Sequence, residues 1–182
     1  AFMRIFIAVE FDNETKESIY DLQNRIKEDC KKGNFTYKDN LHLTLKFLGE
    51  IDPADIEGVQ EAMEETAGTN HPFELTFDRI GYFDRGERCI IWVGVDRSKP
   101  LVRLYETLEK NLGKQGFKRD RANFSPHITI SRETALFYSK KLLIEKFKPE
   151  MNGMIVKEIS LMESKRINGK LVYKKLYGAK LI

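Results

Sequence analysis

Cysteine and histidine are scarce in this chain, and long apolar runs are missing. Cys30 and Cys89 are the only cysteines. Two isolated thiols build neither a disulfide framework nor a zinc site, so a reduced, cytoplasmic protein is the simplest reading. No stretch of about 18 apolar residues occurs, which excludes a membrane-spanning helix. Met3 to Glu10 alternates apolar and polar too early for a secretory leader. Ala1 and Phe2, ahead of Met3, are read as a remnant outside the fold. Neither sign of charge dominates: 31 basic and 28 acidic residues leave +3. That is too mild for avid nucleic-acid binding by charge alone, though it permits a local basic patch. No low-complexity linker divides the chain.

What is present is an ordinary globular composition, 41% hydrophobic and 32% charged over 182 residues. A chain of this length buries roughly 70% of its unfolded surface, as one domain or as two small lobes sharing a core. Arg4 to Val9 reads as a buried opening strand. Asp12 or Asn13 caps a helix running to about Lys31, with Ile19, Leu22, Ile26 and Cys30 as its apolar stripe and Gly33 ending it. Leu41 to Leu48 is a strand. Asp52-Pro53 starts a second helix carrying Ile56, Val59 and Met63. Phe73 to Ile80 and Cys89 to Val95 are strands joined by a turn around Asp84-Arg85-Gly86. After Pro100 a third helix bears Leu101, Leu104, Leu108 and Leu112, and Gly116 ends it. His127 to Ser131 is a strand, and Tyr138 to Phe147 a short helix. Ile155 to Met162 and Leu171 to Leu181 close the chain as strands, the turn between them made by Asn168-Gly169.

Two of the three histidines stand in one repeated phrase: His42-Leu43-Thr44-Leu45 and His127-Ile128-Thr129-Ile130. Successive strand residues face opposite ways, so each copy sets an imidazole beside a hydroxyl on one face and two aliphatic anchors on the other. Nine of the 182 residues are Thr, so two such pairings among three histidines arise by chance on the order of 1% of the time. The copies lie 85 residues apart, each behind a long amphipathic helix. This order predicts two similar lobes related by a pseudo-two-fold axis, with the phrases facing each other across a cleft. An ordinary half-buried strand histidine is the competing reading of either copy taken singly.

The paired phrases resemble the signature of the two-histidine phosphoesterase superfamily. Within it, Met3 to Glu10, Asn40 to Gly49 and Phe124 to Arg132 are similar to the RNA 2′,3′-cyclic phosphodiesterase family, first named for 2′-5′ RNA ligase activity. The resemblance extends from Met3 to the C-terminus, through the penultimate strand ending at Ser164 and the Gly169 to Tyr173 hairpin. It implies an α+β bilobal fold over residues 3–182, with two antiparallel sheets lining a central cleft and helices outside. It also implies an enzyme that needs no cofactor and no metal, acting as a monomer on an RNA or nucleotide bearing a 2′,3′-cyclic phosphate, away from any membrane.

The chemistry asks for these residue types. Opening a cyclic phosphate requires one proton to be removed from water and another to be given to the leaving oxygen. Histidine, with an unperturbed pKa of about 6.5, serves both ends near neutral pH. The resemblance makes His42 the donor to the 3′ oxygen and His127 the acceptor that activates water, leaving a 2′-phosphate. The symmetric phrases alone do not separate those roles. Thr44 and Thr129 can donate to non-bridging phosphate oxygens. By strict alternation Arg132 faces away from Thr129. A break after Ser131 would return it to the phosphate, where the family places an arginine. With a 5′-hydroxyl replacing water, the reverse reaction joins ends as a 2′-5′ ligase.

Other residues admit two readings. Alternation puts Lys46 on the His42/Thr44 face, as a substrate contact or a solvated strand end. Lys118-Arg119-Asp120-Arg121 and Lys165-Arg166 are a basic lip for RNA or solvated loops. Tyr82, Phe83 and Phe124 stack on a base or pack in the core. His71 is a surface loop residue. Two rival functions remain: a nucleotide-binding regulatory module of the same fold, and a metal site on His42 and His127. Neither phrase has a second ligand at zinc spacing.

Overall fold

The computed structural model describes residues Ala1–Ile182. Ten strands and four helices alternate along the chain: β1 (Met3–Glu10), α1 (Asn13–Lys27), β2 (Cys30–Phe35), β3 (His42–Ile51), α2 (Ile56–Ala67), β4 (Phe73–Leu75), β5 (Phe77–Arg85), β6 (Arg88–Val95), α3 (Lys99–Lys114), β7 (His127–Leu136), α4 (Lys140–Lys146), β8 (Met154–Val156), β9 (Glu158–Ile167) and β10 (Lys170–Lys180). One four-stranded sheet runs β10-β9-β1-β3 and the other β2-β7-β6-β5, while β4 and β8 form a small third sheet. Every recorded pairing is antiparallel. The two His-x-Thr strands, β3 and β7, belong to different four-stranded sheets, and β1 and β6 are their equivalent neighbours. No helix is long and apolar enough to cross a membrane.

Local chemistry explains most of the boundaries. Asp12 accepts from the Thr15 N–H at 2.8 Å, so α1 starts where a capping side chain satisfies a free donor. Ser98 does the same for Leu101 ahead of Pro100. Leu101, Leu104, Leu108 and Leu112 are fully buried on one face of α3, each contributing about 1.5–3 kcal/mol of burial. They join a connected cluster of 36 buried apolar residues drawn from both large sheets. Asn168 and Gly169 adopt φ of 52° and 77°, the positive pair that a two-residue hairpin loop requires.

The structure corrects the sequence-based expectations at several elements. The first helix ends at Lys27, and Cys30 to Phe35 forms β2 along the outer edge of β7. Cys30 therefore is not part of the helical stripe, and Gly33 does not end a helix. A Cβ on Gly33 would lie 2.9 Å from Ser131 Oγ, so the glycine lets β2 approach β7. Its sequence, Cys-Lys-Lys-Gly-Asn-Phe, has weak strand character; pairing with β7 overrides propensity. Pro53–Asp55 is a 3-10 turn, and α2 proper begins at Ile56. The strand expected at Phe73–Ile80 is split at Thr76, and the one expected at Ile155–Met162 is split at Lys157, because β4 and β8 leave the main sheets to pair with each other.

Candidate functional site

Among the irregularities of each His-x-Thr strand, an extra residue falls at the same place, just after the threonine. In β3, Thr44 pairs with Ala8 but Lys46 with Ile7, leaving Leu45 unmatched. In β7, Thr129 pairs with Trp92 but Ser131 with Ile91, leaving Ile130 unmatched. A bulge of this kind shifts the alternation by one. Leu45 and Lys46 are consequently both buried and Phe47 is exposed; Ile130 and Ser131 are both buried and Arg132 is exposed. The break thus falls one residue earlier than the expected one after Ser131, with the expected result: Arg132 reaches the cleft. The same shift overturns the expectation for Lys46. It turns inward, and Phe47 takes the position in its lobe that Arg132 takes in the other.

His42, Thr44, His127, Thr129 and Arg132 all line one cleft of about 690 Å³ between the sheets. His42 Nδ1 lies 2.6 Å from the Asn40 carbonyl and His127 Nδ1 lies 2.7 Å from the Ser125 carbonyl. A carbonyl only accepts, so both rings carry their Nδ1 proton and present Nε2 as the reactive nitrogen. The carbonyl in each case belongs to the residue two before the histidine. His42 Nε2 is 2.7 Å from Thr44 Oγ1, whose hydroxyl donates to it while the ring is neutral.

Aromatic side chains hold both rings. His42 packs against Phe6 and edge-on to Tyr173, at centroid distances of 4.9 and 5.1 Å. His127 packs against Phe83 and Trp92 at 5.1 and 5.9 Å. A Cβ on Gly81 would meet the Trp92 indole at 2.2 Å, so that indole lies where only glycine leaves room on β5. Burial pushes the pKa of His42 below its ordinary 6.5, against the opposing pull of the Asn40 carbonyl and the Glu10 carboxylate.

The polar support differs between the bulges. Buried Lys46 donates to the Lys118 carbonyl at 2.8 Å and lies 2.8 Å from a Glu109 carboxylate oxygen and 3.0 Å from Asp120. Glu109 also accepts the Asp120 N–H at 2.8 Å. A side chain of β3 thereby fixes the loop that leads from α3 to His127. At the other bulge, buried Gln23 of α1 donates to the Ile130 and Thr36 carbonyls at 2.8 and 2.9 Å. Thr36 in turn donates to the Thr129 carbonyl at 3.0 Å.

The remaining candidates separate clearly. Arg121 and Arg166 line the cleft, whereas Arg119 is held by Glu106. Phe124 stacks on Tyr105 at 4.0 Å on the cleft wall, and Tyr82 packs against the core. His71 lies apart, with Nδ1 2.9 Å from the Ile182 carbonyl. No group of three or more His, Cys, Asp or Glu is placed to hold a metal ion. Sequence reasoning missed Phe47, Tyr37 and Tyr173 as lining residues. A direct comparison of the copies would have revealed Phe47, which lies five residues after its histidine, as Arg132 does.

Two lobes that present matched His-x-Thr strands to one cleft define the two-histidine phosphoesterase class. A family model described as the 2′-5′ RNA ligase superfamily matches residues 11–168, and the chain belongs to that family. An RNA 2′,3′-cyclic phosphodiesterase of Methanocaldococcus jannaschii is 31% identical over 169 residues, 89% of this chain and 91% of that one. One of Archaeoglobus fulgidus is 29% identical over 164 residues, 89% and 91% of the two chains. Among solved structures, E. coli LigT complexed with 3′-AMP superposes with a TM-score of 0.80 at 26% identity, covering 100% of this chain and 99% of that one. A Thermus thermophilus protein shares the fold at TM-score 0.82 and 22% identity, covering 98% of each chain.

Two outcomes follow from this geometry. Lys46→Met leaves the Glu109 carboxylate buried without its cation, which costs about 3–5 kcal/mol in urea unfolding; adding Glu109→Gln restores most of it. A double variant no more stable than the single one would remove the ion pair from this account. The second outcome concerns pH. A folded-state pKa below that of the unfolded chain means that the unfolded state binds more protons under pH 6.5. Stability is therefore undiminished by this group above that value and falls as pH drops through the folded pKa. His42→Asn should lower Tm less than wild type does between about pH 7.5 and about pH 5; an identical drop would contradict the assignment.

Proposed function

We propose that this cleft hydrolyses RNA 2′,3′-cyclic phosphate ends to 2′-phosphates. His42 is the proton donor, His127 the proton acceptor, and Thr44, Thr129 and Arg132 hold the phosphate. The observation that carries the reading is the pair of imidazoles locked through Nδ1 to backbone carbonyls, both opening Nε2 onto one cleft. The curated relatives' names point to the same chemistry.

The steps balance. Water attacks phosphorus in line with the 3′ oxygen while His127 Nε2 takes its proton. The bond from phosphorus to the 3′ oxygen breaks, and His42 Nε2–H protonates that oxygen. The product carries a 3′-hydroxyl and a 2′-phosphate, and solvent resets both rings. Arg132 meets the phosphate oxygens with a planar pair of donors, and the two threonine hydroxyls turn to donate as negative charge builds. Phe47, 53% exposed at the cleft and backed by Phe6 at 5.6 Å, offers a flat face to the base of the terminal nucleotide. Both histidines and both threonines lining the cleft favour turnover over a regulatory module that only binds nucleotides.

An RNA oligomer ending in 2′,3′-cyclic phosphate, incubated in chelator, should yield a 2′-phosphate end. His42→Ala and His127→Ala should each lose about 10²–10⁴-fold in kcat/KM. The roles separate with a 3′-deoxynucleoside 2′-(4-nitrophenyl) phosphate, in which a leaving group that needs no proton takes the place of the 3′ oxygen. There His42→Ala should recover most of its activity and His127→Ala should not. Equal recovery by both variants would overturn the assignment of donor and acceptor. Binding of the cyclic end without turnover would favour the regulatory module.

A further inference from the structure

We propose that the Tyr173 hydroxyl is a further catalytic group, donating a hydrogen bond to a non-bridging oxygen of the cyclic phosphate beside His42. This deepens the reading of the cleft as a site for cyclic phosphates and rests on it. Tyr173 lies on β10 and lines the cleft. β1 pairs with β9 only as far as Ile5↔Glu163, and beyond that point β9 pairs with β10 alone. This free part of the hairpin is tied instead to the turn ahead of β3, where buried Asn40 donates from Nδ2 to the Leu171 carbonyl at 2.9 Å. The Asn40 carbonyl also holds His42 Nδ1. Asn40 therefore touches both the imidazole and the strand that brings Tyr173 to it.

The other lobe supplies an internal control. Phe83 stands edge-on to His127 with ring centroids 5.1 Å apart and planes at 86°, the same values as for Tyr173 and His42. Holding an imidazole in this way therefore requires a ring but no hydroxyl. The Tyr173 hydroxyl also has no hydrogen-bond partner within the protein, whereas Tyr105, Tyr138 and Tyr177 each donate to a carboxylate. A half-buried hydroxyl that is neither needed for packing nor bonded internally is left to serve a ligand.

The surroundings suit an anion. Burial raises the Tyr173 pKa above its ordinary 10, against the pull of the Arg132 and Arg4 guanidinium groups, so the phenol keeps its proton at neutral pH. Arg132 belongs to the opposite lobe, so this guanidinium and the hydroxyl address the cleft from its two sides. A fixed donor gains strength as phosphorus takes on a fifth oxygen and negative charge builds on the non-bridging ones. Being uncharged, the phenol does not oppose protonation of His42, as a cation at the same place would.

Tyr173→Phe, which gives this lobe the ring that the other already uses, tests the contact. Tm should stay at the wild-type value, since the ring packing is retained. With a nucleoside 2′,3′-cyclic phosphate, kcat/KM should fall about 10- to 100-fold, the effect of one hydrogen bond to a charged group. Calorimetric titration with a nucleoside 2′-monophosphate should show affinity weakened by about tenfold. A third readout separates a phosphate contact from a general disturbance of the cleft. The two diastereomers of a nucleoside 2′,3′-cyclic phosphorothioate place sulfur, a poor acceptor, at one non-bridging position or the other. The loss in kcat/KM on substitution should be smaller for one isomer than for its partner. Equal losses, or wild-type rates and affinity in the variant, would overturn the contact. A wild-type protein that binds the 2′-monophosphate but does not turn over the cyclic phosphate would sink the catalytic reading, and the titration would still decide the contact. One that does neither overturns both.

Discussion

The site depends on the residue left unmatched just after the threonine in each His-x-Thr strand, Leu45 in β3 and Ile130 in β7. A strand without the bulge would keep Ser131 on the cleft face and drive the Arg132 guanidinium into the core, where an unpaired charge costs several kcal/mol. With the bulge, His127, Thr129 and Arg132 share a face although their spacings are two and then three. The matching shift in β3 gives His42, Thr44 and Phe47. The pseudo-two-fold relation therefore extends beyond the repeated phrase to the backbone irregularity after it. The fifth residue past each histidine is where the lobes differ chemically: a cation in one and an aromatic ring in the other.

Each bulge removes regular ladder pairing, and each is stabilised by a different polar group. Gln23 reaches from α1 to the Ile130 carbonyl, so a helix pins the second bulge directly. The first is pinned by Lys46, whose inward turn creates a buried ammonium with carboxylates from α3 and the following loop. Replacing such an ion pair with apolar side chains of similar volume is often neutral, so stability alone does not explain its presence. Its geometry does more. It ties the strand of His42 to the loop that ends at Ser125, whose carbonyl sets the tautomer of His127.

Much of this was legible in the sequence. Regular alternation placed His42 with Thr44 and His127 with Thr129, a capping residue marked the start of α1, and leucines at helical spacing marked α3. β2 was hidden because Cys30 to Phe35 becomes a strand only by pairing with β7, a contact more than 90 residues away in the chain. Lys46 was misplaced and Phe47 overlooked for one reason: strict alternation fails at a bulge, and bulges leave little trace in composition. Allowing a break for Arg132 in one copy without allowing it in the other concealed the symmetry. Tyr173 enters the cleft from a hairpin remote from either phrase, and Tyr37 from the irregular turn just ahead of His42, where strand alternation says nothing of side-chain direction.

The two histidines are alike in tautomer and different in surroundings, which bears on their proposed roles. Burial between Phe6 and Tyr173 disfavours a charged His42, yet the proposed proton donor has to be charged before the leaving oxygen departs. The anionic substrate resolves the conflict. In the proposed cycle a cyclic phosphate beside Nε2 supplies a negative charge that favours the protonated ring, raising the pKa of His42 when substrate is bound. Thr44 is placed for both states, since its hydroxyl donates to the neutral ring and can rotate to accept from the charged one. In this cycle the phosphate is not only what the cleft binds. On the proposed assignment it is also what charges the acid.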